Sequence, residues 1–550
     1  MKWVQYRLWK RGFGVMFEGR CHEYPVIDRC QRRAYLEDSA ILHHADPSPT
    51  QENSNPRNLR IMLREWNETP SPRIAFYLAN TYRDINDHAN AVKWYEERLK
   101  TIAFQDEWLF AHLYMARSLR ALGKQREADD VLCKAVIWGA NWAELWMELA
   151  AGAYQQNRYD DAIAYCLKID TYAPIPSTDL WREEQMYRDQ PMRTASWAYE
   201  QKGDIPNAIV YAKLAIPLIG DADLAWSERL ARLEQALSEV ADVEARKLKI
   251  IALCRPGAIG DILMTLHTVP KLRQAHPDAQ IWYFCSAAFI ADTSLAPILR
   301  AAGVDRVLPF DTYNVWRMHV AKAINFVGYP LHEGYPERPM QQHLLQYFAK
   351  EAEVEAEPLT IARPVRPTFA PSGPYMTLQT KAGWSAYKQW PQERWDAVRA
   401  QLRDIPVVCI DESERHTLNE CIAAVANATM HVGIDSFANH LTHYWWMDEA
   451  GARRTRGVIL WGSTQHTAAG YNHNMNISKG LACQPCFREN PAISRMAKAP
   501  CQNGSKVYGD GLHQCMQEIT VDEVVRAIRM MWRDEVGRAK YRVFGAAVAA

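Results

Sequence analysis

Between about residues 58 and 240, apolar positions recur at helical spacing, in paired blocks separated by short polar turns. Ala91, Ala128, Ala162 and Ala208 each stand early in the second block of a pair, at separations of 37, 34 and 46 residues (91 to 128, 128 to 162, 162 to 208). In the first blocks, Leu78, Tyr82, Met115, Leu119, Leu149, Ala153 and Tyr199 fall where one helix should pack on the next. Alanine lets two helices approach closely, and the larger residues fill the space between neighbouring hairpins. The pattern predicts stacked helical hairpins with turns at Gly123 and Gly203. Pro174 closes the third unit, and the wide last interval predicts an insertion around 171–191. Ahead of the array, residues 46–57 are rich in Pro, Ser and Asn and read as an exposed loop.

After a charged helical stretch at 225–249 the pattern changes. Residues 249–254 form a short apolar run that suits a buried parallel strand. Gly257 and Gly260 follow and are expected to turn the backbone tightly. From Asp261 onward, Ile262, Leu263, Leu266, Val269 and Leu272 recur at helical spacing. Strand, glycine turn and helix aim free N–H groups into the crevice at the carboxyl end of a sheet, which attracts anions such as phosphate. Asp261 would repel a phosphate there, so it reads either as a base beside the site or as a helix cap. Further strands are expected at 281–285, 307–310, 374–378 and 407–410, with a helix at 393–402. Residues 358–374 hold five prolines and read as a linker between an α/β half at 249–372 and another at 373–550. Asp411 ends one strand, where a carboxylate would meet ribose hydroxyls. Residues 457–464 repeat the passage from strand to glycine turn, and 521–532 form a closing amphipathic helix expected to cross back between the halves.

Composition narrows the function classes. The 550 residues suffice for several domains. Lys+Arg and Asp+Glu both number 64, so no net charge argues for nucleic acid or an anionic membrane surface. No run of about 18 apolar residues predicts a membrane span, and the first residues lack an apolar signal core. Together with scattered cysteines, this reads as a cytoplasmic protein. The last four cysteines are clustered: Cys483, Cys486, Cys501 and Cys515. A CxxC pair with two more thiols at loop spacing fits a tetrahedral four-sulfur site, structural because no coordination position stays open. Zinc and iron suit it equally, two disulfides are the competing account, and no catalytic metal is expected.

These residues also resemble known families. The hairpin period and its alanines match tetratricopeptide repeats, which serve as spacers or present a concave surface to a polypeptide. The run from Arg255 through Gly257, Gly260 and Asp261, the helix ending at His276, and the stretch from Gly303 to Asp311 resemble glycosyltransferase family 9, the ADP-heptose heptosyltransferases and their relatives. That resemblance implies a GT-B fold of two Rossmann-like domains behind an all-α repeat array, with Asp261 as catalytic base beside Gly260. It implies that Thr380 and Lys388 hold the donor diphosphate, with Lys381 and Ser385 as helpers. His431 to Leu441 is similar to the family's aspartate–serine-or-threonine–glycine–x–x–histidine motif. Asp435 would then bind donor sugar hydroxyls, Ser436 would start a helix and His440 would back the site; Phe437 replaces the usual glycine. Gly462, Ser463 and Thr464 are similar to the final phosphate-side loop, Ser463 replacing a proline. Autotransporter heptosyltransferases use a comparable cysteine cluster to bind iron, which favours iron over zinc. Residues 1–57 resemble the end of a family 2 glycosyltransferase domain, and His22 and Glu23 are expected to be part of a remnant packed on the repeats. The implied function is transfer of a sugar from a nucleotide diphosphate donor to a glycan or protein acceptor docked with the help of the repeats. The rival is a non-catalytic interaction protein whose transferase region is degenerate, a reading Phe437 favours.

Overall fold

The structure is a computed structural model that describes residues 16–18, 24–26, 54–102, 104–176, 182–219, 224–328, 340, 342–381, 388–411, 415–484 and 513–549. The chain divides into two compact units, Met1–Glu234 and Gln235–Ala550. Within residues 1–53, only β1 (Met16–Glu18) and β2 (Tyr24–Val26), an antiparallel pair, are described. His22 and Glu23 lie outside the described residues.

In the first unit, α1 (Ser54–Glu68) begins inside the stretch expected as loop. Four hairpins follow: α2 (Pro72–Asp84) with α3 (His88–Leu99), α4 (Gln105–Ala121) with α5 (Gln125–Val136), α6 (Ala143–Gln155) with α7 (Tyr159–Cys166), and α8 (Gln190–Lys202) with α9 (Ile205–Ile219). Ala91, Ala128, Ala162 and Ala208 are all fully buried, as close helix approach requires. Asn86, Gly123, Asn157 and Gly203 stand at one constant offset before those alanines, and all four have positive φ. A left-handed residue after a helix reverses the chain; glycine adopts it freely and asparagine tolerates it. The expected insertion is present, with a 3₁₀ turn at Glu184–Tyr187. It is anchored by the fully buried Glu144, which accepts a hydrogen bond from the Tyr187 hydroxyl.

The second unit carries two all-parallel sheets. The first contains β3 (Ile250–Cys254), β4 (Gln280–Cys285), β5 (Arg306–Pro309) and β6 (Lys322–Asn325), in the order β5-β4-β3-β6. Every residue of β3 is buried, which explains its unbroken apolar run. The helix expected from Asp261 comes in three pieces: Ile259–Thr265, a 3₁₀ turn Leu266–Thr268, and Val269–Ala275. Pro270 accounts for the break, because it has no N–H to give the preceding turn. The expected linker is not simply a linker. It contains β7 (Thr360–Ala362), whose Ile361 is buried between exposed neighbours.

The second parallel sheet contains β8 (Met376–Gln379), β9 (Val407–Cys409), β10 (Met430–Ile434), β13 (Arg456–Trp461) and β14 (Met475–Ser478), in the order β14-β13-β10-β8-β9. Between β10 and β13 the chain makes β11 (Trp445–Asp448) and β12 (Gly451–Arg453); β11 lies parallel to β7 and antiparallel to β12. One apolar cluster runs from Ile251 and Leu253 of β3 through Leu263 and Leu266 to Leu441, Tyr444 and Trp446. The edge strand β9, through Val408, and the elements beside the second sheet therefore share a core with the first sheet. The last helix, Val521–Ala549, is longer than the expected 521–532. Its described side chains stay with the second sheet instead of crossing back: Arg529 pairs with Asp404, Glu523 with Lys479, and Asp534 and Glu535 with Arg456. Among the described residues, no helix is long and apolar enough to cross a membrane.

Candidate active site

In the first sheet, β3 lies between β4, which follows it in the chain, and β6, so the strand order reverses at β3. A crevice opens at such a point between the carboxyl ends of the two strands. Arg255, directly after β3, spans it: Nη1 donates to the Phe326 carbonyl at 2.8 Å, and Nη2 pairs with the Asp261 carboxylate. Asp261 is the third residue of its helix, and the N-cap position, Ala258, has no side-chain cap bond. The capping alternative for Asp261 is therefore overturned, because the helix starts two residues earlier and the carboxylate turns to Arg255.

The turn itself also differs from expectation. Ala258 carries the positive φ, 57°, and neither Gly257 nor Gly260 does. A non-glycine residue held there stores on the order of 1–3 kcal/mol. Gly260 is needed for another reason: a Cβ at that position would come within 2.6 Å of the His440 ring. Gly257 has nothing within 4 Å of the same position.

In the second sheet the order reverses at β8, between β9 and β10. Lys388 Nζ meets Asp435 Oδ2 at 2.6 Å, with side chains only 10% and 5% exposed. Thr464 Oγ1 donates to the same oxygen at 2.6 Å. Burial alone would raise the Asp435 carboxyl, but Lys388 and the Thr464 hydrogen bond hold it below the ordinary carboxylate range. Ser436 occupies the N-cap position of the short helix Phe437–Leu441, yet its hydroxyl accepts from Gln379 Nε2 at 3.0 Å. Ser463 is buried with no hydrogen-bond partner for its hydroxyl among the described residues, and the Gly462 carbonyl accepts from Gln484. Thr380 donates its hydroxyl to Asp411 at 2.6 Å, and Lys381 donates its N–H to the same carboxylate at 2.8 Å. Asp411 thus ties down the loop after β8. Phe437, which stood out in the sequence, packs its ring against the shared apolar cluster.

The two crevices meet where Gly260 lies against the His440 ring. The charges of both Lys388 and Asp435 act on Asp261, the first lowering and the second raising its pKa. The largest influence there is burial, which holds the Asp261 carboxyl above its ordinary value against Arg255. His440, whose ring backs Gly260, is kept neutral by burial at about 3, with Nδ1 3.0 Å from the Tyr471 hydroxyl. Tyr444 donates to the Leu263 carbonyl at 2.6 Å. Gln465 exchanges two hydrogen bonds with the Met340 backbone, at 2.8 and 3.1 Å. The arrangement joins a carboxylate of raised pKa to a buried cation, with hydroxyls and backbone groups around both.

Of the expected residues, Lys388, Asp435 and Thr464 contact one another, Gly260 lies against His440, and Ser436 meets Gln379, whereas Thr380 turns to Asp411, Gly462 to Gln484, and Ser463 has no hydrogen-bond partner among the described residues. Ser385 lies outside the described residues. Arg255, Gln379, Gln465 and Tyr471 were not assigned from sequence. Only Arg255 carries a legible signal, a cation at a strand end followed within one turn by a carboxylate. Of the cysteines, Cys486 and Cys501 lie outside the described residues. Cys483 is half-buried, while Cys515 is buried on the short helix Gln514–Gln517 and packs in the core of the second sheet instead of in a loop. Among the described residues, no three His, Cys, Asp or Glu side chains group as metal ligands.

No protein-family model matches the chain, and no curated protein does. Similar solved structures include TibC of enterotoxigenic E. coli H10407, described as an iron-containing dodecameric glycosyltransferase, at 16% identity over 52% of this chain and 77% of that one, TM-score 0.39. They also include the E. coli ADP-heptose lps heptosyltransferase II, at 14% identity over 52% of this chain and 99% of that one, TM-score 0.37. YrrB, a TPR protein with an unusual peptide-binding site, is similar at 16% identity over 32% of this chain and 84% of that one, TM-score 0.26. Nothing among the comparisons supports the resemblance drawn for residues 1–57. What this site can do is read from its own side chains.

Proposed function

We propose that the second unit is a GT-B glycosyltransferase that moves a sugar from a nucleoside diphosphate to a hydroxyl. ADP-heptose is the donor implied by the family 9 resemblance, and the acceptor is a protein or a glycan. Asp261 takes the acceptor proton as the acceptor oxygen bonds to the anomeric carbon. The bond from that carbon to the diphosphate breaks, and its electron pair stays on the departing phosphate oxygen. Lys388 offsets that growing charge. Asp435 accepts hydrogen bonds from sugar hydroxyls, while Gly260, Thr380, Ser436, His440, Gly462, Ser463 and Thr464 shape the donor pocket. One observation carries this reading: two strand-order reversals each hold a carboxylate and a cation, and the charges of one act on the base of the other. A non-catalytic role finds less support, because packing accounts for Phe437.

Calorimetry with ADP-heptose, UDP-glucose and GDP-mannose tests the proposal. One of them should bind at about one per chain, and no binding by any of the three overturns the reading. For the four cysteines we propose a structural metal, iron with zinc as the alternative, whose binding free energy orders the segment that contains them. Elemental analysis should find about one metal per chain, lost in each single Cys→Ser variant; metal-free protein of full thermal stability contradicts it.

A further inference from the structure

We infer that Asp435 discriminates the intact sugar nucleotide from the spent nucleoside diphosphate, by competing with the diphosphate for Lys388. This rests on the glycosyltransferase reading and concerns how the site takes up donor and releases product. Lys388 Nζ is 2.6 Å from Asp435 Oδ2, and both side chains are almost wholly buried. A diphosphate that recruits Lys388 must therefore draw it away from a buried carboxylate.

The consequence differs between the two ligands. Thr464 supplies one hydrogen bond to Asp435 and cannot replace a cation. A buried carboxylate deprived of its counter-charge is strongly disfavoured. An intact donor brings sugar hydroxyls that can donate to Asp435 while its phosphates take Lys388, so both halves of the pair are satisfied again. A nucleoside diphosphate without the sugar satisfies only Lys388. After transfer, Asp435 recaptures Lys388 and the product leaves. The nearby charges reinforce this: Asp261 feels both members of the pair, and its own partner Arg255 is already engaged with it and with the Phe326 carbonyl.

The test is calorimetry on the full chain with ADP, UDP and GDP against ADP-heptose, UDP-glucose and GDP-mannose. In the wild type, the sugar nucleotide that binds should bind at least about tenfold more tightly than its own diphosphate. In Asp435→Asn, nearly isosteric but uncharged, the diphosphate should tighten while the sugar nucleotide does not, and the preference should fall toward parity. Equal wild-type affinities for donor and diphosphate overturn the inference without any variant, so a misfolded Asp435→Asn does not shield it. An unchanged preference in a folded Asp435→Asn overturns it as well, with the transferase reading left standing. Binding of none of the six ligands removes that reading and this inference together.

Discussion

The two strand-order reversals of the second unit hold the same pair of charges in opposite conditions. At the first, Asp261 is about a quarter exposed, faces Arg255, and has a carboxyl held above its ordinary value. At the second, Asp435 is almost wholly buried, faces Lys388, and has a carboxyl held below it. Burial disfavours both carboxylates, so by itself it does not give them shifts of opposite sign. The difference lies in the other partners. Asp435 adds the Thr464 hydrogen bond to its cation, whereas Asp261 also feels the negative charge of Asp435. A carboxylate of raised pKa is suited to take a proton, and one of lowered pKa to accept hydrogen bonds without changing charge.

The largest test of this division is Asp261→Asn. If the first carboxylate alone works as a base, the variant should bind donor about normally and lose on the order of 10²- to 10⁴-fold in turnover. Steady-state transfer rates beside donor calorimetry decide it, and near wild-type turnover would merge the two carboxylates into one structural role.

Acid should act next, through histidines buried beside both sheets of the second unit. Burial holds His267, His431 and His440 at about 4, 3 and 3, against about 6.5 in an unfolded chain. Between those values the unfolded chain binds protons that the folded chain does not. The stability these side chains contribute is complete above about pH 6.5 and falls below it, by about 1.4 kcal/mol per pH unit for each. Thermal unfolding followed from pH 7.5 to 5.5 should show the transition of the second unit dropping steadily; a flat profile contradicts the buried, neutral histidines.

The smallest effects separate residues of the first turn that look alike in sequence. Gly260→Ala should cost about 1–3 kcal/mol, because the new Cβ meets the His440 ring. Ala258→Gly should be neutral or stabilising by up to about 1 kcal/mol, because it relieves a positive φ. Denaturant midpoints of the two variants measure the contrast, and a neutral Gly260→Ala would mean that the crevices are not in contact there.

Several elements were legible because local pattern and tertiary role coincide. The alanines of the array and the buried run of β3 are of that kind, since each periodicity reports one face or one strand. Other elements were misread where tertiary pairing overrode the local signal. Residues 358–374 look like a linker, yet β7 finds a partner in β11, from far along the chain. Asp261 has the residue type of a cap and the geometry of an ion-pair partner.

What the sequence by itself determined is the hairpin array, the change to α/β pattern near residue 249, and the identity of the charged residues that gather at the strand ends. Periodicity and residue type are local properties, and these features depend on little else. Which charge meets which was decided only by the tertiary structure. Arg255 reaches Asp261 across a turn, but Lys388 reaches Asp435, and Gly260 meets His440, across gaps in the chain that no spacing rule spans. Opposite pKa shifts on two aspartates follow from those meetings, because a shift depends on burial and on the charges brought close, and the fold sets both.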